Sequence, residues 1–193
     1  MIFMTHSIWT IPLLMLTVWP MSAYSQKLQE SDSIQSDMHI AAVFLQINNL
    51  DISNARLIRH SAVTGAVKEI SEMILVEHVP IRDEFLALLN RLGIEPDLPD
   101  SYSRYWNEKT FRKMLKSASS HDGDKLYIDY EYTFSKKAVT LIENRLIPAC
   151  NNERLKLFLV SNLPKLKAHL SHIAMYHNGQ GTKRKMGMMH GHP

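Results

Sequence analysis

The chain is short of several things, and each shortage closes off a class of explanation. It has one cysteine, Cys150, among 193 residues. No internal disulfide can form, and no cysteine follows the N-terminal apolar run to take a lipid anchor. A lone cysteine reads as a small buried residue near a helix end; pairing between chains is the alternative. No segment alternates apolar and polar residues with a period of two, so neither a sheet nor a membrane barrel is expected. There is no CxxC, no glycine-rich phosphate loop and no nucleophile–base motif. A basic surface is missing too. The formal charge is +3, but Lys183, Arg184 and Lys185 sit together in the tail with no acid after them. Setting those three aside leaves 19 basic residues against 19 acidic ones, mixed along the chain. That balance argues against nucleic acid as a partner.

A long apolar run is also absent. Residues 8–18 are mostly apolar, but Thr10, Pro12 and Thr17 interrupt them and Pro20 ends them. The run is too short to span a bilayer as a stable helix. Ala23-Tyr24-Ser25 behind it supplies the small residues of a cleavable export signal. One feature of such signals is lacking: the segment before the run carries His6 and the terminal amine but no lysine or arginine. We expect a signal peptide over 1–25, a disordered polar segment over 26–36, a helical domain over 37–177 and a flexible tail over 178–193. The mature protein is then periplasmic, with no transmembrane segment. Its partners are not readable, and self-association stays open.

What the chain does have is helical periodicity. Val67, Ser71, Ile74, His78, Ile81, Phe85, Leu88 and Leu92 recur at spacings of four and three. That is the inner stripe of a helix packed in a bundle. Thr64-Gly65 marks a corner before it, and Gly93 stops it. Pro80 lies within it, so a kink is expected that frees the Val76 carbonyl for His78 to hydrogen-bond. An earlier helix is predicted over 38–62, with Asp37 as its cap. Its inner face carries Ala41, Leu45, Asn48, Ile52 and Ala55, with Asp51 beside them. Asn48 and Asp51 either reach solvent at the helix edge or find partners inside.

A linker, Glu95-Pro96-Asp97-Leu98-Pro99-Asp100, leads to a shorter amphipathic helix over 102–118. Its Tyr102, Tyr105 and Trp106 read as core or as a recognition surface. A break at 119–123 precedes a third long helix over 124–146, with Glu131 at the centre of its stripe. A fourth is predicted over 153–177, capped by Asn151 or Asn152. It repeats the opening pattern with Leu155, Leu159, Asn162, Leu166, His169, Ile173 and Tyr176. Pro164 lies inside it.

Four long helices predict an all-α fold, a four-helix bundle. The long connection between the second and third carries a short extra helix, and can travel the length of the bundle as in ferritin-like folds. Counted along such helices at ~1.5 Å per residue, Asp51, His78, Glu131 and His169 fall within about 6 Å in height. Two imidazoles and carboxylates at one level are candidate ligands for a divalent metal ion. They equally suit a buried network of His–Asp and His–Glu pairs that satisfy one another. The di-iron signature Glu-x-x-His is absent: the matching positions read Leu75-x-x-His78 and Leu166-x-x-His169. In the tail, Met186, Met188, Met189, His190 and His192 form a soft-ligand cluster of the kind that suits copper. No residue reads as catalytic.

Several pieces together resemble a known family: Val67-Lys68-Glu69 followed by Met73 and Glu77-His78, Asp124-x-x-Tyr127, and Leu163-Pro164-x-Leu166-x-x-His169. These resemble exported bacterial proteins of unknown function, ferritin-like four-helix bundles whose members are often labelled outer membrane proteins. The resemblance covers 38–176. It implies the fold and export, and it places the family's acidic residue of the first helix on Asp51. The chain departs from the family in the third helix, where a second Asp-His is replaced by Phe134-Ser135. One expected imidazole is thereby lost, and Glu131, one turn away, stands nearest to replace it. The resemblance supplies no activity. The expected function is therefore an exported, non-enzymatic module with a stress-related or interaction role. The alternatives are a divalent-metal-binding ferritin-like protein, or copper binding through the tail.

Overall fold

The computed structural model describes residues 36–98 and 106–179. The expected signal peptide, most of the polar segment after it, the candidate tail residues Met186, Met188, Met189, His190 and His192, and Tyr102 and Tyr105 lie outside the described residues. Four long helices and one short one follow in order: α1 (Asp37–Arg59), α2 (Gly65–Leu92), α3 (Glu108–Ser117), α4 (Ser120–Leu141) and α5 (Glu153–His177). No strand occurs among the described residues. No described helix is long and apolar enough to cross a membrane.

Local chemistry sets the helix ends. Ser36 caps α1, its side chain accepting from the His39 N–H at 3.2 Å. Asp37, the expected cap, binds elsewhere: its carboxylate accepts the Asn151 and Asn152 N–H groups at 2.9 and 3.0 Å. Thr64 caps α2, and Gly93 ends it at φ 64°. That left-handed geometry strains any residue with a Cβ, which is why glycine is there. Pro80 sits inside a continuous α2. Ser119 caps α4 four residues before the predicted start, so Gly123 falls within the helix. A Cβ on Gly123 would lie 3.6 Å from Leu115 Cδ1, an ordinary van der Waals contact.

The third long helix is less regular than its periodicity suggests. After Leu141 it widens into a π-helical turn, Ile142–Leu146, before a last turn at Ile147–Ala149. Pro148 explains this. It has no N–H to give and its ring crowds the carbonyl four residues back. The wider turn lets Ile147 N–H reach the Ile142 carbonyl instead. Cys150 then closes the segment, buried, with its Sγ 3.5 Å from the Asn152 carbonyl. Burial, then the Asp37 carboxylate, pushes its thiol up to about 12. It is an inert core residue at neutral pH.

Two carboxylates fix the directions of the helices. Asp124, near the start of α4, accepts the Thr64 N–H at 2.6 Å and the Val63 N–H at 3.2 Å. The start of α4 therefore lies at the α1–α2 turn, and α2 and α4 run parallel. Asp37 does the same at the other end, tying the start of α1 to the α4–α5 turn. Asp124 is buried. Asp124→Ala leaves the two turn N–H groups without their acceptor and should cost about 1–3 kcal/mol. Urea unfolding would measure this, and Asp124→Asn, which keeps an acceptor oxygen, should lose less.

The core divides into two apolar clusters. One gathers Phe44, Ile47, Ile81, Phe85, Leu146 and Leu155. The other gathers Ile58, Val67, Ile74, Tyr127 and Ile173. Trp106 is buried in the first, packed 4.9 Å from Phe134, so it is core and not a recognition surface. On every long helix, one candidate polar residue falls between the stretches that feed the two clusters.

Candidate functional site

The four candidates converge. Asp51 on α1, His78 on α2, Glu131 on α4 and His169 on α5 are all buried, at 4%, 2%, 0% and 5% exposure. The helical period puts each on an inner stripe, and the crossover brings all four to one level between the apolar clusters.

His78 is the hub. Its Nδ1 lies 3.2 Å from Asn48 Oδ1 and 3.3 Å from Asp51 Oδ2. The Asn48 amide is oriented by its own Nδ2–H, which donates to the Phe44 carbonyl at 2.9 Å. Nδ1 of His78 therefore faces two oxygen acceptors and carries its proton there. Its Nε2 lies 3.0 Å from His169 Nδ1. The far nitrogen of His169, Nε2, lies 2.7 Å from Glu77 Oε2. The carbonyl of Val76, the partner expected from the Pro80 position, is not among His78's hydrogen-bond partners. Side chains from α1 and α5 take both of its ring nitrogens.

The other arm holds two acids. Glu131 accepts the Ser135 hydroxyl on Oε1 at 3.3 Å and lies beside Asp51, whose charge helps to hold its proton. Oε2 of Glu131 and Oδ1 of Asp51 are both buried without a donor among the described residues. Two carboxylates can share such a contact only if one carries a proton. Burial, reinforced by the Asp51 charge, holds Glu131 well above the usual carboxylate range, so Glu131 is that acid. Burial also lowers His78, outweighing the pull of Asp51 in the other direction, so its imidazole is neutral. Burial, then Glu131 and Asp51, pushes the Tyr127 phenol up, which keeps a neutral hydroxyl against the acid pair.

The imidazole geometry limits what the layer can do with a metal ion. The His78 and His169 ring centroids are 5.0 Å apart while their nearest nitrogens are 3.0 Å apart. The rings thus meet nearly end to end, with the two nitrogens aimed at each other. A zinc ion needs about 2.0–2.1 Å to each imidazole nitrogen, which that line does not allow. Among the described residues, no three histidine, cysteine, aspartate or glutamate side chains are placed to hold a metal ion. A cavity of about 10 Å³ adjoins the layer, lined by Asp51, His78, Ser135 and His169 among apolar residues. That is room for one water molecule.

Three members of the layer are not among the candidate ligands read from the sequence. Asn48 lies on the inner face of α1, and the pattern leaves edge or core open for it. Ser135 shares the inner stripe of α4 with Phe134, where an imidazole is expected, and it donates to Glu131 one turn away. Glu77 is adjacent to His78 and so lies off the inner stripe by a helical step. Only the approach of α5 shows that its side chain, 35% exposed, closes the layer at the solvent side.

A sequence model of a family described as a domain of unknown function, DUF4142, matches residues 22–175. No curated protein and no solved structure matches the chain.

Proposed function

The chain belongs to the DUF4142 family, and from that premise we propose that it is an exported, periplasmic, ferritin-like helical bundle that acts through its surface, without enzymatic chemistry in its core. The observation that carries this reading is the closed polar layer. Both ring nitrogens of His78 and of His169 are held by protein groups. The adjoining cavity has room for one water and for no organic substrate. Buried polar layers of this kind are also good at fixing register, because any slip strands several polar groups at once. The role is then that of a stress-related or interaction module with a rigidly aligned core.

The competing assignment puts a divalent ion on Asp51, His78, Glu131 and His169. It requires the two imidazoles to give up their mutual hydrogen bond and turn toward a common point. A third assignment puts copper on Met186, Met188, Met189, His190 and His192. One preparation tests all of these. Untagged protein recovered from a periplasmic extract should begin at Gln26 and contain no stoichiometric metal. Its melting temperature should not change with added zinc, iron or copper, since an ion that binds the folded form raises it. Stoichiometric metal that survives dialysis would overturn the closed-layer reading. Metal lost on removal of residues 178–193 would assign it to the tail, and an uncut N-terminus would overturn export.

A further inference from the structure

The polar layer is a single file with one end in solvent. It runs Glu131, Asp51, His78, His169, Glu77, and has four links. The first sets Glu131 beside Asp51, each with a buried oxygen that has no donor, and the second joins His78 Nδ1 to Asp51 at 3.3 Å. The third is the 3.0 Å contact between the imidazoles, and the fourth the 2.7 Å contact from His169 to Glu77. Glu77 is 35% exposed, whereas His169 beside it is 6% exposed. Each link needs one proton, because all of these groups are acceptors without one.

The count does not close with ordinary neutral residues. Protonated Glu131 fills the first link. Neutral His78 with its proton on Nδ1 fills the second, which leaves Nε2 bare. His169 must then donate from Nδ1 to His78 and also fill the link to Glu77. A neutral imidazole has one N–H and can fill only one of those two links. The complete file therefore holds one proton more than neutral imidazoles with ionised Asp51 and Glu77 would carry. That proton is shared by His169 and Glu77, at the solvent end.

We propose that this file is a proton switch, complete while the extra proton is held and broken when it leaves through Glu77. The proposal rests on the closed-layer reading above. Loss of the proton breaks one N–H bond and passes H⁺ to a solvent base. Two acceptors then face each other, either between the imidazoles or between His169 and Glu77. Either repulsion acts across the seam between α2 and α5. The charged and titratable groups facing His78 and His169 come from each packed helix: Asp51 on α1, Glu77 on α2, Glu131 on α4, and Lys165 on α5. At His78, Lys165 disfavours a positive charge, while Asp51 and Glu77 favour it. The switch gives an exported bundle a means of loosening one helix seam as its surroundings turn alkaline.

Histidine-labelled mature protein, dialysed against EDTA, tests this by ¹⁵N NMR over roughly pH 5 to 9. At the acid end, His169 should show both ring nitrogens protonated while His78 keeps its proton on Nδ1. As pH rises, His169 should lose one proton, and amide exchange around residues 77 and 169 should speed up with the same midpoint. Glu77→Gln removes the anion at a position open enough to tolerate it. It should lower that midpoint by about one pH unit, the size of effect expected for a charge at hydrogen-bond distance. A His169 that stays neutral throughout, or a midpoint unmoved in Glu77→Gln, would overturn the switch alone. If adding zinc ion to the chelated protein shifts both imidazoles, the closed-layer reading fails as well.

Discussion

Replacing His78 with alanine should lower the stability of the bundle by about 3–5 kcal/mol, the summed cost of stranded buried hydrogen-bond partners and of the cavity left behind. The side chain is 3% exposed and joins three helices. Its loss leaves Asn48 Oδ1 and Asp51 Oδ2 without their shared donor, and His169 Nδ1 without its acceptor. It also opens a void between Ile74 and Ile81, both of which are buried. Unsatisfied buried groups and a cavity add to each other. Domains of this size are stable by about 5–15 kcal/mol, so the variant should be near the edge of folding. Urea unfolding with and without EDTA measures the effect. On the closed-layer reading the loss should be the same in both conditions. A loss under about 1 kcal/mol would mean that the hub relaxes or fills with water at little cost. A wild type that loses as much in EDTA as the variant does would mean that an ion holds the layer. Replacing His169 as well should add less than its single effect, since the two rings share one hydrogen bond.

The periodic part of this structure is legible in the sequence, and the non-local part is not. The α2 and α5 stripes are regular enough to put His78 and His169 on inner faces without knowledge of any contact. The limits of α5 follow from the Asn152 cap and the end of its period. The levelling of four polar residues depends on one inference, that the connection after Gly93 is long enough to cross the bundle. The Asp124 and Asp37 contacts put the start of α4 at the α1–α2 turn and the start of α1 at the α4–α5 turn. The misplaced details are those that depend on a second element. Asp37 looks like a helix cap in its own sequence, yet Ser36 caps the helix and Asp37 serves a turn more than a hundred residues away. The start of α4 reads late in sequence because Gly123 looks like a breaker, whereas the Ser119 cap starts the helix before it. The same holds for Glu77. A residue off the stripe on its own helix joins the polar layer, at its solvent end, when the facing helix's side chain reaches it. Periodicity says which face turns inward, but not what the facing helix brings to it.

Glu131→Gln should make the protein more stable at neutral and alkaline pH and less sensitive to pH. Glu131 is fully buried, and its carboxyl is held well above its ordinary value of 4.5 by burial first and by Asp51 second. For a group whose folded value is raised, the stabilising contribution is complete below the unfolded value and is lost as pH rises toward the folded one. Above about 4.5 the unfolded chain releases this proton and the folded chain keeps it. Wild-type stability should therefore fall by about 1.4 kcal/mol per pH unit from this group alone. His78 acts with the opposite sign. Its folded value is lowered from 6.5, so its contribution is present above 6.5 and is lost as pH falls. Between 4.5 and 6.5 the two slopes oppose each other, and above 6.5 the Glu131 slope stands without that opposition. Glutamine keeps the hydrogen bonds: its carbonyl accepts from Ser135 and its amide donates to the Asp51 oxygen that has no other donor. It has no proton to lose. The stability difference between variant and wild type should therefore widen with each pH unit above 4.5, at the rate given, until wild-type Glu131 ionises. Urea unfolding at matched pH values measures that difference. Glu131→Leu removes the same titration but strands Asp51 Oδ1, so it should show the same change in slope at a lower overall stability. A difference that stays constant with pH would mean that the proton between Glu131 and Asp51 is not there.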